Sequence, residues 1–176
     1  RGVMPADPRH PYVVVSNHES FADMLLLTHL PWEMKWLSKV EIFRIPFLGW
    51  LLWAAMDIGV KRGRGTSAKD AMNECKRRLT DRVSVMIFPE GGITRDGAVQ
   101  RFRPGVERIL AARPVPVIPM ALRGMWGSLF SRRDRLRLPR RIWSRIALVI
   151  GDPIPPEQAT IELLEERVKA LRGDWA

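Results

Sequence analysis

The chain has 176 residues, 46% of them hydrophobic, which fits one domain with a buried core and excludes a mainly disordered state. There are 29 Lys and Arg against 19 Asp and Glu, a formal net charge of +10 that points to an anionic partner: nucleic acid, an anionic membrane or an acidic carrier protein. The lone cysteine, Cys75, excludes an internal disulfide and fits a reducing compartment.

Residues 1–11 (RGVMPADPRHP) lack the apolar centre of a signal peptide. Residues 12–16 (YVVVS) are a β-branched run after a proline and predict a buried strand. Residues 17–19 are then its C-terminal turn, and Ser20 caps a helix over 21–29 that Pro31 ends. A short helix is expected over 39–44. Residues 46–56 (PFLGWLLWAAM) form the longest apolar run, well short of the roughly 18 residues a membrane span needs. They read as a buried helix or as a segment lying in a membrane interface. A short strand is expected at 57–61, and Thr66 or Ser67 caps a helix reaching about Asp81, with Lys and Arg near its end. Residues 83–88 (VSVMIF) predict another buried strand, 89–97 a glycine-rich polar loop, and Pro104 the first turn of a helix through 112. Residues 115–122 (VPVIPMAL) predict a strand that two prolines demote to an irregular or edge position. A last strand is expected at 146–150 and a last helix at 161–172. The alternation implies a single α/β domain, a largely parallel central sheet flanked by helices. Sites in such sheets gather at the C-terminal ends of strands, which singles out residues 17–23 and 89–95.

His18 stands just past a strand end and five residues before Asp23. That spacing lets a carboxylate hold one ring nitrogen and fix the tautomer, leaving the other to take a proton from a substrate hydroxyl. General-base help of this kind is worth about 10²–10⁴ in rate; a structural hydrogen bond is the plainer use of the same pair. In FPEGGITRDG (88–97), Gly91 and Gly92 let backbone N–H groups approach an anion, and Arg95, Arg101 and Arg103 offer guanidinium forks suited to phosphate. An ordinary polar turn has the same composition. Residues 132–145 (RRDRLRLPRRIWSR) hold seven arginines and one aspartate, which suits an anionic lipid surface, an acidic carrier protein or a solvated loop. Seven tryptophans against one tyrosine suit a membrane interface, with core packing as the alternative. Cys75 lies mid-helix among charges and no GxSxG occurs, so no covalent nucleophile stands out. His10, His18 and His29 have no metal-ligand spacing, and no metal is expected.

Four blocks in this order resemble the 1-acylglycerol-3-phosphate acyltransferase family. NHESFAD (17–23) matches its NHxxxxD block, GVKRG (59–63) the short block with an arginine, FPEG (88–91) the third, and VPVIPMAL (115–122) the proline-containing fourth. The resemblance covers about residues 12–151. FPEGGITRDGAVQRFRPGVERI and MALRGMWGS look closer still to the acyltransferase domains of bacterial 2-acylglycerophosphoethanolamine acyltransferases, which are often fused to a lysophospholipid transporter. The resemblance implies transfer of a fatty acyl group to the free hydroxyl of a lysophospholipid such as lysophosphatidate, without an acyl-enzyme. The donor would be an acyl thioester, acyl-CoA or acyl-ACP, as co-substrate, with no other cofactor. His18 would be the general base and Asp23 its orienting carboxylate. Glu90 and Gly91 would shape the acceptor site, and Lys61, Arg62, Thr94 and Arg95 would bind the substrate, the arginines at its phosphate.

One departure stands out. The family's third block runs from FPEG straight into Thr-Arg, whereas Gly92 and Ile93 intervene here before Thr94 and Arg95. Arg101 or Arg103 is then an alternative phosphate ligand, and lysophosphatidylethanolamine an alternative acceptor. The same resemblance implies a peripheral protein on the cytoplasmic face of the bacterial inner membrane, with an anionic membrane surface and acyl carrier protein as partners. Amphipathic N-terminal helices or a fused partner ahead of Arg1 would fit it. A non-catalytic lipid-binding domain on the same fold is a competing reading, which intact His18 and Asp23 disfavour. Nucleic acid is not expected, since no helix-turn-helix, zinc-finger or RNP-type motif occurs.

Overall fold

Alternate residues of one short strand feed two separate cores. A computed structural model describes residues 2, 5, 7, 9–20, 22–44, 46–54, 57–60, 65–128, 131 and 145–174. Strand β1 (Val13–Ser16) is buried along its whole length. Val13 and Val15 enter one core and Val14 the other. An apolar run buried on both faces belongs in the middle of a parallel sheet, and that is where β1 lies.

The sheet also holds β2 (Met34–Lys39), β3 (Ile58–Val60), β4 (Ser84–Ile87), β5 (Val117–Arg123) and β6 (Ala147–Ile150), in the order β3-β2-β4-β1-β5-β6. All pairings are parallel except β5 with β6. Helices α3 (Gly65–Thr80), α4 (Gly105–Ala112) and α5 (Ile161–Arg172) cover the Val13–Val15 face, through residues such as Cys75, Leu79, Ile109 and Leu164. Helices α1 (Asp23–Leu27) and α2 (Leu48–Ala54) cover the other face with Met24, Leu27 and Leu52. Among the described residues no helix is long and apolar enough to cross a membrane.

The expected α/β architecture holds, and three local expectations, on β5, α2 and α1, are corrected. The short helix expected over 39–44 is a 3-10 helix at Val40–Arg44, and a six-residue strand, β2, for which no element was expected, leads into it. Lys35 breaks its apolar pattern but is buried by pairing with Glu33 at 3.0 Å. Strand β5 is interior, between β1 and β6, despite its prolines. Pro119 falls between the β5–β6 ladder, which begins at Met120 opposite Ile150, and a separate bridge from Val117 to Ile154. Only its carbonyl is needed there, accepting from Gly151 N at 2.9 Å, so the missing N–H costs no ladder bond. Helix α2 is not a buried helix: Leu52 points inward, but Trp50 and Trp53 are 66% and 79% exposed. Helix α1 starts at Asp23, later than expected, and Ser20 Oγ accepts from Ala22 N (3.0 Å) in the turn before it.

Candidate active site

The register of β1 against β4 sets Val15 opposite Ile87, so both chains leave the sheet at the same edge. NHESFAD and FPEG therefore meet in space. His18 N donates to Glu90 Oε1 (2.8 Å), and Thr94 N donates to His18 O (2.9 Å). On the other side of β1, Asn17 continues the pairing with β5 through its side chain: Leu122 N donates to Oδ1 (2.8 Å) and Nδ2 donates to Leu122 O (2.9 Å). The backbone that carries His18 is thus pinned from both neighbouring strands.

The imidazole is held as well. Its ring lies flat on Phe88, with centroids 4.0 Å apart and planes 10° apart. Nδ1 faces Asp23 Oδ2 at 2.8 Å. The same oxygen accepts from Glu19 N (2.7 Å) and Ser20 N (2.9 Å). An oxygen that receives two N–H groups acts as an acceptor, so Nδ1 carries the hydrogen and Nε2 offers its lone pair. Asp23 is fully buried, and its Oδ1 has no donor among the described residues, so all its hydrogen bonding runs through Oδ2. His18 keeps 14% of its side chain exposed. A base oriented by a buried carboxylate, with one nitrogen facing outward, can take a proton from a hydroxyl brought to it.

Glu90 works as a bracket rather than as a free acid. Its second oxygen accepts from Gln100 N (2.9 Å), closing the glycine loop onto His18. Burial pushes its carboxyl up to about 7, against the pull of its two backbone donors and with help from the charges of Glu19 and Asp23. Relative to an ordinary carboxyl at 4.5, the folded state holds this proton longer. The group's stabilising contribution is complete below about pH 4.5 and is lost as pH rises through about 7. Asp57, pushed up to about 6 by burial, acts in the same direction, so the Glu90 share needs a subtraction. In melting-temperature profiles from pH 4 to 8, Glu90→Gln is expected to decline less steeply than the parent between 4.5 and 7. Parallel profiles would contradict this assignment.

Gly91 sits at φ +73°, a left-handed conformation suited to glycine. A methyl group added there would fall 2.9 Å from Arg103 Nε, so that guanidinium lies over the glycine. Thr94 is buried, and its hydroxyl is taken up within the loop: it lies 2.9 Å from Asp96 Oδ1 and 2.8 Å from Ala98 O, and accepts from Gly97 N (3.1 Å). Arg95 is exposed beside it. The fold thus brings His18, Asp23, Glu90, Gly91 and Thr94 together. Lys61, Arg62 and residues 132–144 lie outside the described residues. Burial pushes the Cys75 thiol up to about 12, which makes it a poor nucleophile. Among the described residues no group of three or more His, Cys, Asp and Glu side chains could hold a metal.

Among α1, α2 and β2 opens a largely apolar cavity of about 500 Å³, lined by Met24, Leu27, Trp32, Trp36 and Leu52 among others. Met24 follows Asp23 directly, and Trp36 packs on Phe88 with ring centroids 6.0 Å apart. The cavity is therefore two ring contacts from the imidazole. Asn17 and Phe88 lie in the NHESFAD and FPEG blocks but had no role assigned from sequence, and Trp36, outside every block, carried no signal.

The Acyltransferase family model matches residues 3–123. A chloroplastic 1-acyl-sn-glycerol-3-phosphate acyltransferase of Brassica napus is 38% identical over 114 residues, covering 65% of this chain and 33% of that protein. The 1-acyl-sn-glycerol-3-phosphate acyltransferase alpha of Mus musculus is 32% identical over 137 residues, 77% of this chain and 48% of that protein. The chain thus spans between a third and a half of the length of these two relatives. Among solved structures, the 1-acyl-sn-glycerophosphate (LPA) acyltransferase PlsC of Thermotoga maritima shares the fold, with a TM-score of 0.69 at 22% identity over 95% of this chain and 68% of that one. The family match runs from before β1 to the end of β5, across the strand ends that build the His18 site, and the chain belongs to the Acyltransferase family.

Proposed function

We propose that the domain transfers a fatty acyl group from an acyl thioester, acyl-CoA or acyl-ACP, to the free hydroxyl of 1-acylglycerol-3-phosphate. The observation that carries this is the 2.8 Å contact between His18 Nδ1 and an Asp23 oxygen already fixed by two backbone N–H groups. Nε2 takes the proton of the acceptor hydroxyl as its oxygen bonds to the thioester carbon. The carbon–sulfur bond then breaks, and the leaving thiolate collects the proton from His18. Both relatives are named for 1-acyl-sn-glycerol-3-phosphate as the acceptor, which supports the same acceptor here. Lysophosphatidylethanolamine is the competing acceptor, favoured by the Gly92-Ile93 step in the glycine loop. Arg103, over Gly91, joins Lys61, Arg62 and Arg95 as a candidate ligand for the head-group phosphate. The cavity beside Met24 has the apolar lining and the volume suited to the acyl chain. In solution, thiol release from the thioester is expected to depend on added lysophosphatidate; release at the same rate without acceptor would refute the proposal.

The reaction is assigned to an anionic membrane surface, with the domain peripheral to it; the cytoplasmic face of a bacterial inner membrane fits the +10 charge and the single cysteine. Helix α2 supports this. Its Leu52 lines the cavity, while Trp50, Trp53 and the preceding Phe47 (73% exposed) face outward. Phe47 is held at φ +64°, a strained value for a bulky residue, with its ring edge-on to Trp50 at 5.3 Å. Burying a large apolar side chain is worth roughly 1.5–3 kcal/mol. A Trp50→Ser/Trp53→Ser protein should therefore float with anionic phospholipid vesicles at least about tenfold less well than the parent. Equal flotation would remove α2 from the membrane contact.

A further inference from the structure

The C-terminal helix reaches into the turn that joins His18 to Asp23. Glu19, 1% exposed, sits between them and has three side-chain partners. Arg172 Nε donates to Oε1 at 2.6 Å, Asn17 Nδ2 donates to the same oxygen at 3.1 Å, and Trp126 N donates to Oε2 at 3.0 Å. The backbone N–H of Glu19 in turn donates to Asp23 Oδ2, the oxygen that holds the imidazole. The side chain of Arg172 is only 13% exposed, so this ion pair is largely dry. Removing one partner of such a pair leaves an uncompensated buried charge.

We propose that Arg172 is a positioning residue for the His18–Asp23 pair: through Glu19, the last turn of α5 sets the turn that aims Asp23 Oδ2 at the imidazole. The proposal rests on reading His18 as the base. The docking of α5 does not rest on Arg172 alone. Ile161, Leu164 and Val168 are buried in the core, Thr160 caps the first turn by accepting from Leu163 N (3.2 Å), and Arg123 Nε donates to Leu171 O (2.7 Å). Arg172 is thus available for a second task.

Electrostatics gives that task a signature. The titratable and charged groups around Glu19 are Arg172, Asp23 and His18, with Glu90 sensing both carboxylates. Burial pushes the Glu19 carboxyl up, and the Arg172 guanidinium pulls it back down. Without that cation the buried Glu19 carboxyl is pushed up further and takes a proton at higher pH; where it is ionised, it faces Asp23 with no counter-charge, and that negative field favours the protonated imidazolium, which cannot act as a base.

The test compares Arg172→Gln, Arg172→Lys and the control Lys169→Ala, which removes a cation of the same helix that pairs with Glu165 and not with Glu19. Each protein is assayed with palmitoyl-CoA and lysophosphatidate, and His18 labelling by diethyl pyrocarbonate is followed against pH in the absence of substrate. Small misplacements of a catalytic group can cost about a hundredfold in rate. Arg172→Gln is expected to lose about tenfold to a hundredfold in kcat with KM within about twofold. Its acid limb and its labelling curve should both move to higher pH, Arg172→Lys should recover part of each, and Lys169→Ala should match the parent. An unmoved labelling curve in Arg172→Gln would overturn the proposal even if activity fell. So would kcat within about twofold of the parent. A parent protein that transfers no acyl group refutes the activity instead, while the labelling curves still decide the role of Arg172.

Discussion

His18→Ala is expected to remain folded and to lose acyl transfer by about 10²–10⁴ in kcat, the worth of a positioned general base. The fold should survive because His18 is anchored through its backbone, N to Glu90 and O to Thr94 N. Losing the ring removes a stack on Phe88 worth about 0.5–1.5 kcal/mol. Asp23 Oδ2 keeps both its backbone donors, so no buried carboxylate oxygen is stripped of partners. The drop should appear in kcat with KM little changed, since in the proposed mechanism the imidazole acts on the proton that moves and binds neither chain nor head group. Circular dichroism and a melting curve beside the kinetics separate this from unfolding.

Asp23 holds the turn through two backbone N–H groups and, in the proposed mechanism, orients the base; two substitutions divide these roles. Asp23→Asn can keep the amide oxygen toward Glu19 N, Ser20 N and His18, but it removes the charge that favours the imidazolium formed when Nε2 takes a proton. A loss approaching about 10⁴ in kcat is expected, as for a carboxylate-to-amide change behind a catalytic histidine, with modest loss of stability. Asp23→Ala strips the acceptor from two buried backbone N–H groups, at 2.7 and 2.9 Å from Oδ2. Each orphaned donor costs about 1–3 kcal/mol. Asp23→Ala should therefore melt well below both the parent and Asp23→Asn while sharing the loss of activity. Equal melting temperatures for the two variants would show that Asp23 does not hold the turn.

Much of this arrangement was legible before any coordinates. The run YVVVS reads as a buried strand, the alternation of strands and helices implies a parallel sheet, and the strand-end rule then placed NHESFAD and the loop after Phe88 where a site is expected. Strand β2 was not legible, because Lys35 interrupts its pattern and is accommodated by its ion pair with Glu33 and the nearby charge of Asp57. Strand β5 was misplaced for a related reason. Prolines speak against an interior strand only where an N–H is required, and whether one is required at Pro119 depends on β6 ending at Ile150. Of the two readings of residues 46–56, burial holds on the Leu52 side of α2, while Trp50 and Trp53 stand exposed. Glu19 and Arg172 are 153 positions apart. Nothing local in either residue announces the other, and their pairing follows only from where α5 ends against the β1 turn.

The central claim is that His18 drives acyl transfer onto the free hydroxyl of 1-acylglycerol-3-phosphate, and product mass tests it most directly. The parent and His18→Ala proteins would each be incubated with lysophosphatidate or lysophosphatidylethanolamine, and with palmitoyl-CoA or palmitoyl-acyl carrier protein. Phosphatidate carrying the added palmitoyl chain should appear with the parent for at least one donor, and fall by about 10²–10⁴ in rate with the variant. Phosphatidate formed equally fast by His18→Ala, or no acylated product from lysophosphatidate with either donor, would contradict the account.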